Sequence, residues 1–372
     1  MDDPGARHLD LAHDATAMGR RRFLQLLGAG VLVGGTVVGV AACDTAAPEV
    51  TVASGFTARR LATSGQVVPG TSYVWHTDPD GGACFPVSGG GWIYVSNSER
   101  LGGGASMIRF GSNGQVIEAR RILSGTDRNC AGGATPWGTW LSCEEHPTGR
   151  VWECDPTGTT PAVVRPALGA FAHEAAAVDP LEQRIYLTED HPDGALYRFT
   201  PAVWHDLSAG TLEVLTETTS GLAWAVVPDP SGTTVATRDQ VPGTKRFHGG
   251  EGTCWTGNSI CFTTKYDNKV WRYRPSHNVL VVVYDATTSS NPILTGVDNV
   301  TWGPRASLYV AEDGGDMQIV RLGLTGDLTP IVCVTGVTGS EITGPAFSPD
   351  GTRLSFSSQR NPGATYEVRG PF

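Results

Sequence analysis

Between Trp137 and His146 the chain reads Trp-Gly-Thr-Trp-Leu-Ser-Cys143-Glu144-Glu145-His, so that a thiol, two carboxylates and an imidazole follow an apolar run without a break. Side chains of these types ligate metals, and the same mixture recurs along the chain: Asn97 and Glu99, His173 and Glu174, Glu189 and Asp190, Glu251, Asp298 and Asn299, Glu312 and Asp313. Oxygen donors in number select hard cations such as Ca²⁺, which takes about 6 to 8 of them. A thiolate does not suit calcium, and Cys143 among the acids points to a second, softer metal, iron or zinc. Cys143 is also readable as a core thiol or as a disulfide partner of Cys130 or Cys154.

These residues sit at the ends of short apolar segments that are versions of one strand: Ile93 to Ser98, Thr139 to Glu144, Ile185 to Asp190, Ile260 to Lys265, Leu308 to Asp313 and Leu354 to Gln359. The fifth members fall at 97, 143, 189, 264, 312 and 358, at intervals of 46, 46, 75, 48 and 46. A period in the forties with several strands per unit is the mark of a β-propeller, and six units predict six blades in an all-β fold. The long interval predicts an insertion of about 29 residues within 200–245. In an antiparallel pair the start of one strand and the end of the next lie at the same end. All of the acids named above are therefore expected at one mouth, where their mutual repulsion would reach several kcal/mol at an effective dielectric near 20 unless cations neutralise them. A single Glu-Asp pair after a strand is also ordinary turn chemistry; recurrence at one phase of a repeat is not.

The composition agrees with this architecture. Of the 372 residues 40% are hydrophobic and 17% charged, enough to bury a large core, and 48 glycines with 24 prolines favour short strands and tight turns. A net charge of -10 argues against nucleic acid as a partner. Residues 1–43 differ: Arg20, Arg21 and Arg22 precede Phe23 and Leu24 and the uncharged stretch 26–42, which holds five glycines and leads into Val40-Ala-Ala-Cys43. This reads as an export signal of the twin-arginine type, with Cys43 in a lipobox as a lipid anchor or, alternatively, next to a plain cleavage site. Export places Cys84, Cys130, Cys154, Cys254, Cys261 and Cys333 where disulfides are chemically allowed. Residues 44–54 read as a linker and 55–372 as one propeller domain, expected to act as a monomer.

Taken in order, Gly138-Thr-Trp-Leu-Ser-Cys143-Glu-Glu, Phe171-Ala-His-Glu174, Tyr186-Leu-Thr-Glu-Asp190, Gly249-Gly-Glu251-Gly, Val297-Asp-Asn299, Leu308-Tyr-Val-Ala-Glu-Asp313 and Gly344-Pro-Ala-Phe-Ser-Pro-Asp-Gly resemble the PhoX family of exported alkaline phosphatases. The resemblance covers most of 55–372. It implies a six-bladed propeller with two ferric ions and two or more calcium ions on its axis, acting on small phosphorylated substrates. It further implies Cys143 as the iron thiolate, Glu174 and Glu251 as carboxylate ligands near it, and Glu144, Glu189, Asp190 and Asp313 among the iron or calcium ligands. Larger members carry Arg-Pro-Glu-Trp where this chain has Gly249-Gly-Glu251-Gly, so the phosphate-gripping arginine is unmatched. Arg246 and Lys265 are the candidates to supply that charge.

Neither a G-x-S-x-G elbow nor an H-E-x-x-H helix is present. Two other readings of the scaffold stay open: a calcium-dependent lactonase or esterase drawing a base from His76, His173, His191 or His248, and a metal-stabilised binding module without turnover. Trp75, Trp137, Trp140 and Trp255 either pack between blades or line a cleft.

Overall fold

The computed structural model describes residues 47, 49–323, 325–360 and 362–372. The readings of an export signal over 1–43 and of an anchor at Cys43 fall outside these residues. Six antiparallel sheets follow one another around an axis. Their innermost strands are Pro79–Pro86, Asn129–Ala134, His173–Asp179, Gly250–Trp255, Val297–Gly303 and Ile342–Phe347, here taken as the starts of blades I to VI. Each is followed outward by its own second strand, Trp92–Ser98, Trp140–Glu144, Arg184–Glu189, Ile260–Thr264, Ser307–Glu312 and Arg353–Ser358. Among the described residues no helix is long and apolar enough to cross a membrane.

The ring is closed by the N-terminal side of the domain. Thr57–Thr63 pairs antiparallel with Ala364–Arg369 and supplies the outer strand of blade VI, so the first and last parts of the described chain share one sheet. Val50–Val52, expected within a linker, instead pairs with Val332 to Val334 as a fifth strand of blade V. The long interval in the repeat lies in blade III, where Asp206–Thr218 pairs outward with a fifth strand, Gly221–Val226, before the chain returns to the axis. Arg238, in the return segment, ties it to the blade by donating to Glu189 at 2.6 Å.

Apolar faces of neighbouring sheets make the core, as the alternation of each strand requires. Leu141, Val151 and Phe171 pack with Ile185 and Leu187 between blades II and III, and Val334 and Ile331 with Phe356 and Val368 between V and VI. Trp75 and Trp140 are buried in this packing, whereas Trp137 and Trp255 are partly exposed. All seven described cysteines are free thiols.

Near the axis the innermost strands come so close that side chains do not fit between them. A Cβ on Gly252 would lie 2.6 Å from the Val300 nitrogen and 2.7 Å from the Asn299 Cα, backbone atoms that cannot swing aside. Gly252→Ala is therefore expected to cost about 1 to 3 kcal/mol, the usual range for overpacking. A melting temperature equal to that of the parent chain would contradict so tight an approach.

Candidate metal centre

Five of the six innermost strands begin in the same way. The first residue pairs with the last residue of the second strand, in Pro79 with Ser98, Asn129 with Glu144, His173 with Glu189, Gly250 with Thr264 and Val297 with Glu312, and the register then breaks. The break is a β-bulge, a device that re-aims the side chains it carries. The residues that follow the pairs are Asp80, Cys130, Glu174, Glu251 and Asp298, and Thr343 holds the corresponding place after Ile342 in blade VI. The residues just beyond the second strands form a second set around the axis: Glu99, Glu145, Asp190, Lys265, Asp313 and Gln359.

At four of the six junctions a polar side chain of one blade donates to a backbone carbonyl at the start of the next blade's innermost strand. Asn97 donates to the carbonyls of Cys130 and Ala131 at 3.0 and 2.9 Å, Thr188 to that of Glu251 at 2.6 Å, and Thr343 to that of Pro79 at 2.8 Å. Thr263 donates to the Asp298 carbonyl. The backbone at Cys130, Glu251 and Asp298, and just before Asp80, is thus clamped from the neighbouring blade.

Four groups of these side chains could each hold an ion, with donor atoms within 4.8 Å of one another: Cys130, Glu145 and Glu174; Asp80, Glu99 and Glu341; Glu174, Glu251 and Asp298; Asp298, Asp313 and Glu341. Glu174 carries the strongest sign of a cation partner. It is 1% exposed, and among the described residues no donor reaches either of its carboxylate oxygens. A buried carboxylate without a partner costs several kcal/mol or takes up a proton. Burial and the neighbouring acids accordingly push Asp80, Glu174, Glu251 and Glu341 well above the usual carboxylate range. They raise Glu145 to about 9 and, against the pull of Lys265, Asp298 to about 6. Burial together with Asp80, Glu174 and Glu145 also raises the Cys130 thiol, so a thiolate there needs a cation beside it.

The expected site residues divide by position in the repeat. Glu145, Glu174, Glu251, Asp298 and Asp313 belong to the four groups, and Asp190 interacts with Glu145. Cys143 does not: it lies in the core with Leu141, Val151 and Leu168, and the thiol on the axis is Cys130. Strand alternation explains the correction, because a residue one place before the end of the second strand faces the neighbouring blade. Glu144, Glu189 and Glu312, the last residues of their strands, turn back into their own blades as acceptors. Glu144 accepts from the backbone of Asp127 and Arg150, Glu189 from Ala195, Tyr197 and Arg238, and Glu312 from Thr295 and Gln318.

His173 is stacked on Phe171 with centroids 3.6 Å apart, its Nε2 is 3.3 Å from the Gly169 carbonyl, and burial lowers it to about 3, leaving a neutral core ring. Asn299 accepts from the Gly344 amide at 2.9 Å and donates to Asp298 at 2.6 Å, stitching blade V to blade VI. Arg246 lies at the rim, paired with Asp239 at 2.7 Å, whereas Lys265 reaches the axis. Lys265 Nζ stands 2.9 Å from Glu251, 3.4 Å from Asp313 and 3.7 Å from Asp298.

Asp80, Cys130 and Glu341 were not singled out from the sequence. Asp80 and Cys130 hold the repeat position of Glu174, so the phase rule applied to the first strand of each unit contains the signal. Gly81, Gly132 and Gly133 hide those strands, since glycine depresses strand character.

Because the raised carboxyls bind protons more tightly folded than unfolded, the chelated protein should lose stability as pH rises from about 5 through the values near 6 and 9 of Asp298 and Glu145. Bound cations replace those protons. The gap in melting temperature between cation-loaded and chelated protein should therefore widen from pH 5 to pH 9; a constant or narrowing gap would contradict the assignment.

The family model for alkaline phosphatase PhoX matches residues 89–153 and 146–256. No curated protein sequence matches the chain. Among solved structures, Pseudomonas fluorescens PhoX in complex with vanadate, a transition-state analogue, is similar at 16% identity with a TM-score of 0.74, over 88% of this chain and 97% of that one. A Bacteroides thetaiotaomicron protein of unknown function is similar at 10% identity and a TM-score of 0.55, over 84% of this chain and 76% of that one. The PQQ domain of pyranose dehydrogenase from Coprinopsis cinerea is similar at 11% identity and a TM-score of 0.53, over 86% and 97%. At such identities the structures speak to the fold. The sequence match, in turn, spans the axial residues from Glu99 to Glu251, and it supports the resemblance to the PhoX alkaline phosphatases over that part of the chain, while the solved structures show the fold.

Proposed function

We propose that the chain hydrolyses small phosphomonoesters at the acid-lined mouth, with a softer metal, iron, held at Cys130, Glu145 and Glu174 and calcium held by the all-oxygen groups. The observation that carries this reading is the one sulfur donor set beside Glu174, whose buried carboxylate has no partner among the described residues. Sulfur with two carboxylates suits a transition metal, and three carboxylates from Asp80, Glu99 and Glu341, or from Asp298, Asp313 and Glu341, suit a hard cation. A calcium-only lactonase has no use for the thiol.

Bound there, the ions supply charge neutralisation for the phosphoryl oxygens and lower the pKa of water. The chain supplies the geometry. Backbone clamps from Asn97, Thr188 and Thr263 fix Cys130, Glu251 and Asp298 around the axis before any ligand arrives, so little reorganisation accompanies the reaction. Lys265 adds a positive charge on the side of Glu251 and Asp313. Below the acids the axis narrows to a cavity of about 50 Å³ lined by Gly81, Ala131, Ala175 and Gly252, and the acid side is the entrance this reading assigns to substrate. At that entrance Tyr266, more than half exposed, lies beside Gly249, where a Cβ would meet its ring at 2.7 Å, and offers a wall to the ester's organic group.

The remaining parts of the reading concern residues and states beyond the described chain. Folded export by the twin-arginine route would let the metals load beforehand; anchoring through Cys43 and action as a monomer complete the proposal.

The direct test is hydrolysis of an aryl phosphate by the full chain, metal-loaded and then chelated, with elemental analysis alongside. Cys130→Ala should lose iron and at least about 100-fold in turnover, whereas Cys143→Ala should keep both and cost about 1 kcal/mol of stability. The reading fails if metal-loaded protein shows no turnover, or if Cys143 is the substitution that strips the iron.

A further inference from the structure

The axial acids are answered by two cationic side chains, and the two are held differently. Among the described residues, Lys265 and Arg360 make the ion pairs to the four carboxylate groups. Lys265 is enclosed by three carboxylates, and its compact ammonium is committed to them. Arg360 comes from the turn that follows the second strand of blade VI, directly after Gln359, and its side chain is 44% exposed. Its Nη2 donates to Glu341 Oε1 at 2.6 Å and lies 3.5 Å from Glu99 Oε2. A guanidinium has five N–H donors, and among the described residues no acceptor takes those of Nε or Nη1.

Glu341 and Glu99 are also two of the three acids of one candidate calcium group. A divalent ion held by this group would draw the same oxygens that Arg360 now holds, and with twice the charge it would satisfy them more fully than one guanidinium does. Arg360 would then be a half-exposed, always charged fork at the edge of a cation-loaded mouth. Neighbouring Gln359 is fixed by bonds to Asp80 and to Glu99, the latter at 2.7 Å, which anchors the base of the turn and leaves the arginine head the freedom to swing.

We propose that Arg360 is the phosphate-binding arginine of this chain, donating through its planar fork to the non-bridging phosphoryl oxygens once cations occupy the Asp80, Glu99 and Glu341 group. The chain has no arginine at Gly249 or Gly250 to do this, and Arg246 is spent on Asp239 and the Asp193 carbonyl at the rim. Blade VI thereby supplies what blade IV lacks. A bidentate fork also explains why a second cation is present although Lys265 already reaches the axis: a point charge attracts a phosphate, while a fork orients it.

This inference rests on the phosphatase reading for its substrate but is tested by binding. Inorganic phosphate is titrated calorimetrically into the metal-loaded full chain and into Arg360→Ala and Arg360→Lys, with elemental analysis of each protein. Arg360→Ala should weaken phosphate binding by about tenfold to a hundredfold at unchanged metal content, the loss expected for a charge-assisted hydrogen bond. Arg360→Lys should recover less than half of that loss on a logarithmic scale, and in the aryl phosphate assay Arg360→Ala should raise KM by a similar factor. Phosphate affinity unchanged in Arg360→Ala overturns the proposal, as does a loss of metal in both variants, which would make the arginine a support for the acids. Absence of turnover in the parent chain would sink the phosphatase reading, while phosphate binding that still depends on Arg360 would leave this inference standing.

Discussion

Carboxylates crowded out of water are the constraint on which the rest of the molecule turns. The four groups on the axis contain eight carboxyl groups and one thiol, drawn from every blade of the ring. Two ionised carboxylates at 4.8 Å repel by about 3 kcal/mol at an effective dielectric near 20. Lys265 and Arg360 offset only part of this. What remains must be met by protons or by metal ions, and the upward displacement of Glu174, Glu251 and Glu341 describes the first of these states. An arrangement this costly with protons alone is the basis for the metal site proposed above.

The scaffold achieves this by repeating one local device. A strand pair ends, a bulge re-aims the next residue toward the axis, and at four of the six junctions a polar side chain of the preceding blade holds a backbone carbonyl beside it. Glycine at 81 and 252 lets adjacent strands close up beside the acids, where the axis narrows to a small cavity. The second-strand acids Glu144, Glu189 and Glu312 do a different task with the same chemistry, each holding the loops of its own blade through backbone N–H groups or neighbouring side chains. One residue of displacement along the chain thus separates a loop staple from a metal-facing donor.

That displacement marks the boundary of what the sequence discloses. The six blades, their order, the single mouth and the insertion in blade III are legible because strand ends recur with a period in the forties. Glu174, Glu251, Asp298 and Asp313 are legible for the same reason. The exchange of Cys143 for Cys130 is not, because the strand bearing Cys130 reads Asn129-Cys-Ala-Gly-Gly-Ala134, with little of the β-branched and aromatic character by which strands are noticed. Which of two adjacent acids faces the axis depends on a bulge, and bulges leave no periodic trace. The place of Arg360 is not legible either, because it depends on the last blade meeting the first where the ring closes, and no spacing along the chain reports that.

The central claim is that the axial donors, with Cys130 as their sulfur, bind metal ions. Anomalous diffraction from crystals of the protein purified with its native metals, recorded on both sides of the iron edge, tests it most directly. The account predicts an edge-dependent peak about 2.3 Å from Cys130 Sγ and within bonding reach of Glu145 and Glu174, with lighter peaks among Asp80, Glu99, Asp298, Asp313 and Glu341. An axis free of peaks, or an edge-dependent peak beside Cys143 in the core between blades II and III, would contradict it.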